Sequence, residues 1–201
     1  MLESILKTSI DGTGDSDRHA MTLFSLALAT RGKNYIELGV RNADSTAPIL
    51  EAVKINGGTL YSVDINPIPV KISDKLQCKN WYFMAQDAIK FLEDWEKKEM
   101  PTPDFVYLDD WHSYDHVKKE LEILDRIVSP NTIIVLHDLM YGNTAPYYHS
   151  DMTLKDGQWA NGGPYRAVAE LNPQFWEFAT LPWSHGLTIL RKKYSNRGTT
   201  A

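Results

Sequence analysis

Acidic and imidazole side chains recur in this chain where its apolar runs end. Glu37 and Gly39 close the run that begins at Tyr35, with Arg41, Asp44 and Ser45 directly behind. Asp64 follows Val63, Gln86 and Asp87 follow Met84 after a single alanine, Asp109, Asp110 and His112 follow Leu108, and His137 and Asp138 follow Leu136. An ionised carboxylate accepts hydrogen bonds from both hydroxyls of a diol. Carboxylate and imidazole donors together suit a divalent cation. An imidazole titrating near neutrality can take a proton from a substrate hydroxyl. Ligand binding, cation binding and proton transfer are therefore the chemistries these residues support.

Gly39 permits close backbone approach to a ligand, and the amides leading into the next helix suit a carboxylate or other polar group. Only this one glycine is present between Gly39 and Asp44, so the three-glycine dinucleotide fingerprint is missing, as is the Gly-Lys-Ser/Thr phosphate loop. NAD and ATP sites both lose weight. Asp64 suits a ribose diol, although Asp64, Asn66 and Pro67 also have the composition of a plain turn.

The elements that must carry these residues alternate. A helix is expected from Asp17 to Thr30, capped by Asp15, Ser16 or Asp17. Tyr35 to Gly39 reads as a buried strand, and Ser45 to Lys54 as a helix capped by Ser45 or Asp44. Strands follow at Thr59–Val63 and Trp81–Met84, separated by a weak helix over Lys71 to Leu76, then a helix from Asp87 to Glu96. Phe105–Leu108 is a strand, Tyr114–Ile127 an amphipathic helix for which Ser113 is a cap, and Thr132–Leu136 a strand buried on both faces. Five strands alternating with helices predict a parallel sheet covered on both sides, whose ligands sit beyond the carboxyl ends of the strands. A helix over Pro164–Leu171 and an antiparallel pair, Phe175–Thr180 and Leu187–Arg191, close the sheet. The segment from Leu139 to Gly163, rich in Tyr, Asn, Asp and Gly, reads as an acceptor-site loop or lid. Its Tyr141, Tyr147, Tyr148, His149 and Trp159 suit a planar or sugar acceptor, or anchor the loop. Trp81, Tyr82, Phe83, Phe91 and Trp95 are expected to fill core.

With 201 residues and 43% hydrophobic content, one core is expected, and one domain over residues 1–201. Twenty-six acidic against 21 basic residues give a net charge of -5, which disfavours nucleic acid as a partner. No apolar stretch is long enough for a membrane span and the start has no secretory pattern, so a cytoplasmic protein is expected. The single cysteine, Cys78, excludes an internal disulfide framework and reads as a small buried hydrophobe. Whether like copies form a homo-oligomer stays open.

The chain resembles class I S-adenosylmethionine-dependent methyltransferases. The likeness is carried by Glu37 to Ser45 as the first loop, Val63–Asp64 as the ribose acid and Gln86 to Ala88 as the adenine region. More narrowly, Leu108 to Tyr114 with Val135 to Asp138 is similar to small methyltransferases that include macrolide sugar O-methyltransferases and proteins labelled cephalosporin hydroxylase. Tyr107 to Trp111 is also similar to the metal-binding turn of catechol O-methyltransferase. The resemblance covers about Tyr35 to Asp138. It departs at Ala43, where a glycine is common, and at Asp110, where many relatives place glycine.

This resemblance implies a Rossmann-like, mostly parallel seven-stranded sheet with helices on both faces and an antiparallel C-terminal strand. It implies S-adenosylmethionine as cofactor, with Glu37 and the Gly39 backbone toward the methionine part, Asp64 toward the ribose, Gln86 and Asp87 toward the adenine, and Arg41, Ser45 and Asp109 at the same site. A divalent metal on Asp109, His137 and Asp138 is implied as well: Mg²⁺ by the hard oxygens, Mn²⁺ or iron by the imidazole. His112 falls where metal-dependent relatives keep a basic residue and is the expected general base, with helix entry as its plainer role. The expected reaction is methylation of a small hydroxylated acceptor. Two alternatives are an Fe(II) hydroxylase using His112, His137 and an aspartate, and a non-catalytic cofactor-binding protein of the same fold.

Overall fold

The computed structural model describes residues 2–14, 16–69, 71, 72, 76, 78–140 and 162–194. Its sheet has seven strands: β1 (Asn34–Leu38), β2 (Thr59–Asp64), β3 (Trp81–Ala85), β4 (Phe105–Leu108), β5 (Ile133–His137), β6 (Trp176–Leu181) and β7 (Leu187–Lys192). The order is β3-β2-β1-β4-β5-β7-β6. β1 to β5 are parallel, and β7 runs antiparallel to both β5 and β6. This is the Rossmann-like, mostly parallel arrangement expected, each strand boundary lying within a residue or two of its apolar run.

The helices with described bounds are α1 (Leu2–Asp11), α2 (Ala20–Ala29), α3 (Thr46–Asn56), α4 (Ala88–Lys97), α5 (Tyr114–Ile127) and α6 (Gly163–Ala169). Alternation along each strand sorts the core into two layers. Ile36, Leu38, Val106, Leu108, Ile134 and Leu136 face α4, α5 and α6. Tyr35, Phe105, Tyr107 and Val135 face α1, α2 and α3. The same alternation sends Glu37, Asp109 and His137 toward the α1 to α3 side, so three separate strands aim functional groups at one layer.

Several local expectations are corrected. The leading helix begins later, with a 3-10 turn over Asp17–His19, and Ser16 makes no capping bond. Asp17 instead accepts the Gly14 amide at 2.7 Å. Ser45 precedes α3 in helical backbone geometry without capping it, because its hydroxyl goes to Glu37. α1 comes in addition, seating Ile5 in the core. Tyr82 is exposed and stacks on Tyr61, Phe83 is half-buried, and Cys78 is half-buried. Trp81, Phe91 and Trp95 are buried as expected. Ser113 does cap α5, accepting the His116 amide at 3.3 Å. The weak helix over Lys71 to Leu76 falls largely outside the described residues, and so does the acceptor loop with Tyr141, Tyr147, Tyr148, His149 and Trp159.

Candidate active site

The strand order reverses between β1 and β4, and their carboxyl ends lie in contact. The Asp109 amide donates to Leu38 O and the Gly39 amide to Val63 O, both at 2.8 Å, extending the ladders past the strands. A Cβ on Gly39 would sit 2.2 Å from Asp109 O, and φ there is +87°. Glycine is thus required by close approach of the chain after β4, in addition to any ligand. Arg41 and Ala43 also lie at positive φ, 48° and 65°. Ala43 occupies a left-handed position that glycine would fill without strain.

Over this junction lies a cleft of about 1040 Å³. Gly39, Arg41, Ser45, Asp64, Gln86, Asp87, Asp109, His112 and Asp138 all line it. Glu37 does not: it is fully buried beneath the floor. Its carboxylate accepts from Ser45 Oγ at 2.8 Å, Thr46 Oγ1 at 2.9 and 3.0 Å and Ser62 Oγ at 2.6 Å. Burial pushes its pKa up to about 7 against the opposing pull of those hydroxyls. Glu37 therefore braces the start of α3 from below. Asp64 gathers the first loop, accepting the Val40 and Arg41 amides at 3.0 and 2.9 Å on one oxygen and the Asn66 amide at 2.8 Å on the other. A carboxylate has about four acceptor positions, so with three amides accepted Asp64 keeps about one for a ligand hydroxyl. Asp87 caps α4 through the Lys90 amide at 2.8 Å.

At the other end of the cleft, acids and imidazoles converge. His112 Nε2 lies 3.3 Å from Asp109 Oδ1 and 2.9 Å from Asp138 Oδ2. His137 Nδ1 lies 3.5 and 3.3 Å from the same two oxygens. Among the described residues neither ring nitrogen of His137 makes a hydrogen bond of sound geometry, nor does Asp138 Oδ1, although all three are buried. One oxygen from each of Asp109 and Asp138 and a nitrogen of His137 lie within 4.8 Å of one another. This donor set, with unsatisfied buried atoms, fits a divalent cation.

The charges are tightly coupled. Burial favours neutral forms here, but the carboxylates outweigh it, raising His112 to about 9 and His137 to about 10. Burial would likewise raise Asp109 and Asp138, yet the imidazoles hold both below the usual carboxylate range. In this arrangement His112 is an imidazolium at neutral pH.

Further residues belong to this assembly. Ser16 Oγ donates to Asp109 Oδ2 at 3.3 Å and Tyr107 Oη to the same atom at 2.9 Å. His185 Nδ1 is 3.3 Å from Asp138 Oδ1. His19, fully buried, packs edge-on to His137 with centroids 5.4 Å apart. Its Nε2 is 3.1 Å from Trp183 O and 3.3 Å from Ser184 O. Ser16 and His19 precede the first strand: Ser16 is expected only as a helix cap, and no local pattern ties His19 to the site.

Residues 36–139, just over half the chain, match the family model of a methyltransferase domain, Methyltransf_24, and the chain belongs to that family. No curated protein sequence matches it significantly. An O-methyltransferase from Bacillus cereus in complex with SAH superposes with a TM-score of 0.71 at 16% identity, over 96% of this chain and 90% of that one. The O-methyltransferase TomG from Streptomyces achromogenes, in complex with SAM and involved in tomaymycin synthesis, gives 0.70 at 12% identity, over 96% and 89%. The SAH-bound methyltransferase PaMTH1 of Podospora anserina gives 0.67 at 16% identity, over 96% and 87%. The fold is thus that of the class I methyltransferases, as the sequence resemblance implied. Among the described residues no helix is long and apolar enough to cross a membrane.

Proposed function

We propose that the protein transfers the methyl group of S-adenosylmethionine to a hydroxyl of a small molecule, assisted by a divalent cation. The observation that carries the reading is the convergence of Asp109, His112 and Asp138, with His137 buried behind them, at one end of a cleft whose other wall is the Gly39 loop, Asp64 and Gln86 to Ala88. Several solved neighbours of the same fold were captured with SAM or SAH. In this reading Asp64 accepts a ribose hydroxyl, the Gly39 loop receives the methionine part, and Gln86 and Asp87 border the adenine.

Asp109, His137 and Asp138 would hold the cation, which supplies Lewis acidity to the acceptor hydroxyl and lowers its pKa. His112 is the proton acceptor. Asp109 and Asp138 raise its pKa against burial, so once those carboxylates are engaged elsewhere, burial favours the neutral ring that a base requires. The methyl group moves in line from sulfonium to oxygen, S-adenosylhomocysteine leaves, and the hydroxyl proton passes to His112 Nε2. Ser16, Tyr107 and His185 hold the carboxylates in orientation.

The test is calorimetric titration of the EDTA-treated protein with S-adenosylhomocysteine, with and without Mg²⁺ or Mn²⁺, followed by transfer of labelled methyl to hydroxylated acceptors. Micromolar binding weakened about tenfold or more in Asp64→Ala supports the cofactor site. Absence of binding under every condition overturns the reading. Oxygen consumption with Fe(II) and no methyl transfer would favour the hydroxylase alternative, and tight binding without transfer a non-catalytic role.

A further inference from the structure

A second cluster lies on the far side of Asp110. His116 and Glu120 are one turn apart on α5 and so share a face. His116 Nε2 is 2.9 Å from Asp110 Oδ2 and 3.5 Å from Glu120 Oε1. One ligand atom from each of the three residues lies within 4.8 Å of the others. None of the three belongs to the group formed by Asp109, His137 and Asp138.

Glu120 makes the cluster unusual. It is fully buried, on the side of α5 that seats Val117, Leu121 and Leu124 in the core. Among the described residues neither of its carboxylate oxygens has a hydrogen-bond partner, the 3.5 Å approach of His116 lacking the required geometry. A buried polar group without a partner is costly, whereas an apolar residue would serve packing alone at no such cost. Burial, with the nearby Asp110 charge, pushes the Glu120 carboxyl up to about 8, while His116 is raised to about 10 because its two carboxylates outweigh its burial. His116 thus places a positive charge between two acids, where a cation's charge would fall. Asp110 and His116 line the large cleft, so an ion has a path in.

We propose that Asp110, His116 and Glu120 form a second cation site, for a divalent ion that accepts nitrogen as well as oxygen, of the Mn²⁺ or Zn²⁺ kind rather than Ca²⁺. Occupied, the site ties the chain after β4, which carries Trp111 and His112, to α5. Binding displaces the His116 proton and releases any proton on Glu120.

The test is the number of Mn²⁺ or Zn²⁺ ions held by the EDTA-stripped full chain, read by equilibrium dialysis and elemental analysis without any activity assay. Four proteins are compared: wild type, Asp138→Asn, Glu120→Gln and the double variant. Asparagine tolerates the left-handed backbone of Asp138, and glutamine keeps the shape of Glu120. His116→Asn, with circular dichroism on every variant, substitutes for Glu120→Gln if that protein does not fold. Two ions in wild type, one in each single variant and none in the double variant is the expected result. One ion in wild type that survives Asp138→Asn and disappears with Glu120→Gln supports this site and sinks the cation at Asp138. An ion count unchanged by Glu120→Gln and by His116→Asn overturns the proposal and leaves the methyltransferase reading untouched.

Discussion

Glu37 and Ser62 stand opposite each other on β1 and β2, and the Ser62 hydroxyl donates to Glu37 Oε2 across 2.6 Å. Ser45 and Thr46 complete a hydroxyl cage around the same buried carboxyl. Burial raises its pKa to about 7, against about 4.3 in an unfolded chain. Between those values the folded chain keeps a proton that the unfolded chain has lost, so stability present below pH about 4.3 is lost as pH rises to about 7. The whole span is about 4 kcal/mol, of which about 3 kcal/mol lies between pH 5 and pH 8. Urea melts at pH 5 and pH 8 should show wild type losing stability relative to Glu37→Gln by up to that amount. Parallel behaviour of the two proteins would mean that Glu37 is ionised throughout.

Glycine and alanine in the first loop should respond oppositely to exchange. Gly39→Ala sets a methyl 2.2 Å from Asp109 O at φ +87°, where neither backbone can give way cheaply. A loss of about 2 kcal/mol or more is expected, with weaker S-adenosylhomocysteine binding. Ala43→Gly relieves a buried left-handed alanine at φ 65° and should raise stability by up to about 1 kcal/mol. Thermal denaturation of the two variants decides both; destabilisation by Ala43→Gly would mean that its methyl packing outweighs the backbone strain.

The strand ends were legible because each apolar run stops at a carboxylate or histidine, and period-2 alternation then fixes the layer it faces. What stayed hidden was mostly long-range. His19 meets the Trp183–Ser184 carbonyls across 164 and 165 positions of sequence, and nothing local to either end announces the contact. Glu37 has the right type and place for a ligand-facing acid, but the pleat turns it under α3. Ser45 reads as a cap by composition, yet its hydroxyl is turned across the layer to donate to Glu37. Glu120 did leave a signal, an acid interrupting the buried stripe of Val117, Leu121 and Leu124, legible once α5 is seen to pack on that face.

Removing the His19 ring nitrogens should loosen the site from outside the family-matched region. The two carbonyls facing Nε2 only accept, so that nitrogen carries the hydrogen and His19 clamps a turn whose Ser184 and His185 both sit at positive φ. His19→Phe removes the donor to the Ser184 carbonyl, while Trp183 O keeps the Gly186 amide at 2.9 Å, at a cost of about 1–3 kcal/mol, or roughly 2–12 °C in Tm. His185 is then less firmly set on Asp138, and Mn²⁺ affinity should fall by about tenfold. Unchanged Mn²⁺ binding with lowered Tm would confine His19 to a purely structural role.

His112 should separate binding from turnover. His112→Gln removes the proposed base but no residue that cradles the nucleotide, so the Kd for S-adenosylhomocysteine should change less than about threefold while kcat falls about 10²–10⁴-fold. The pH profile supplies the sign. With the carboxylates of Asp109 and Asp138 free, the ring titrates at about 9 and is charged at neutrality; with them engaged by Mg²⁺, the neutral ring is favoured. The acid limb of kcat in saturating Mg²⁺ should therefore lie well below pH 9 and be absent from the residual rate of His112→Gln. EDTA should abolish turnover while S-adenosylhomocysteine still binds. A limb that persists unshifted in His112→Gln would assign the proton transfer to another group.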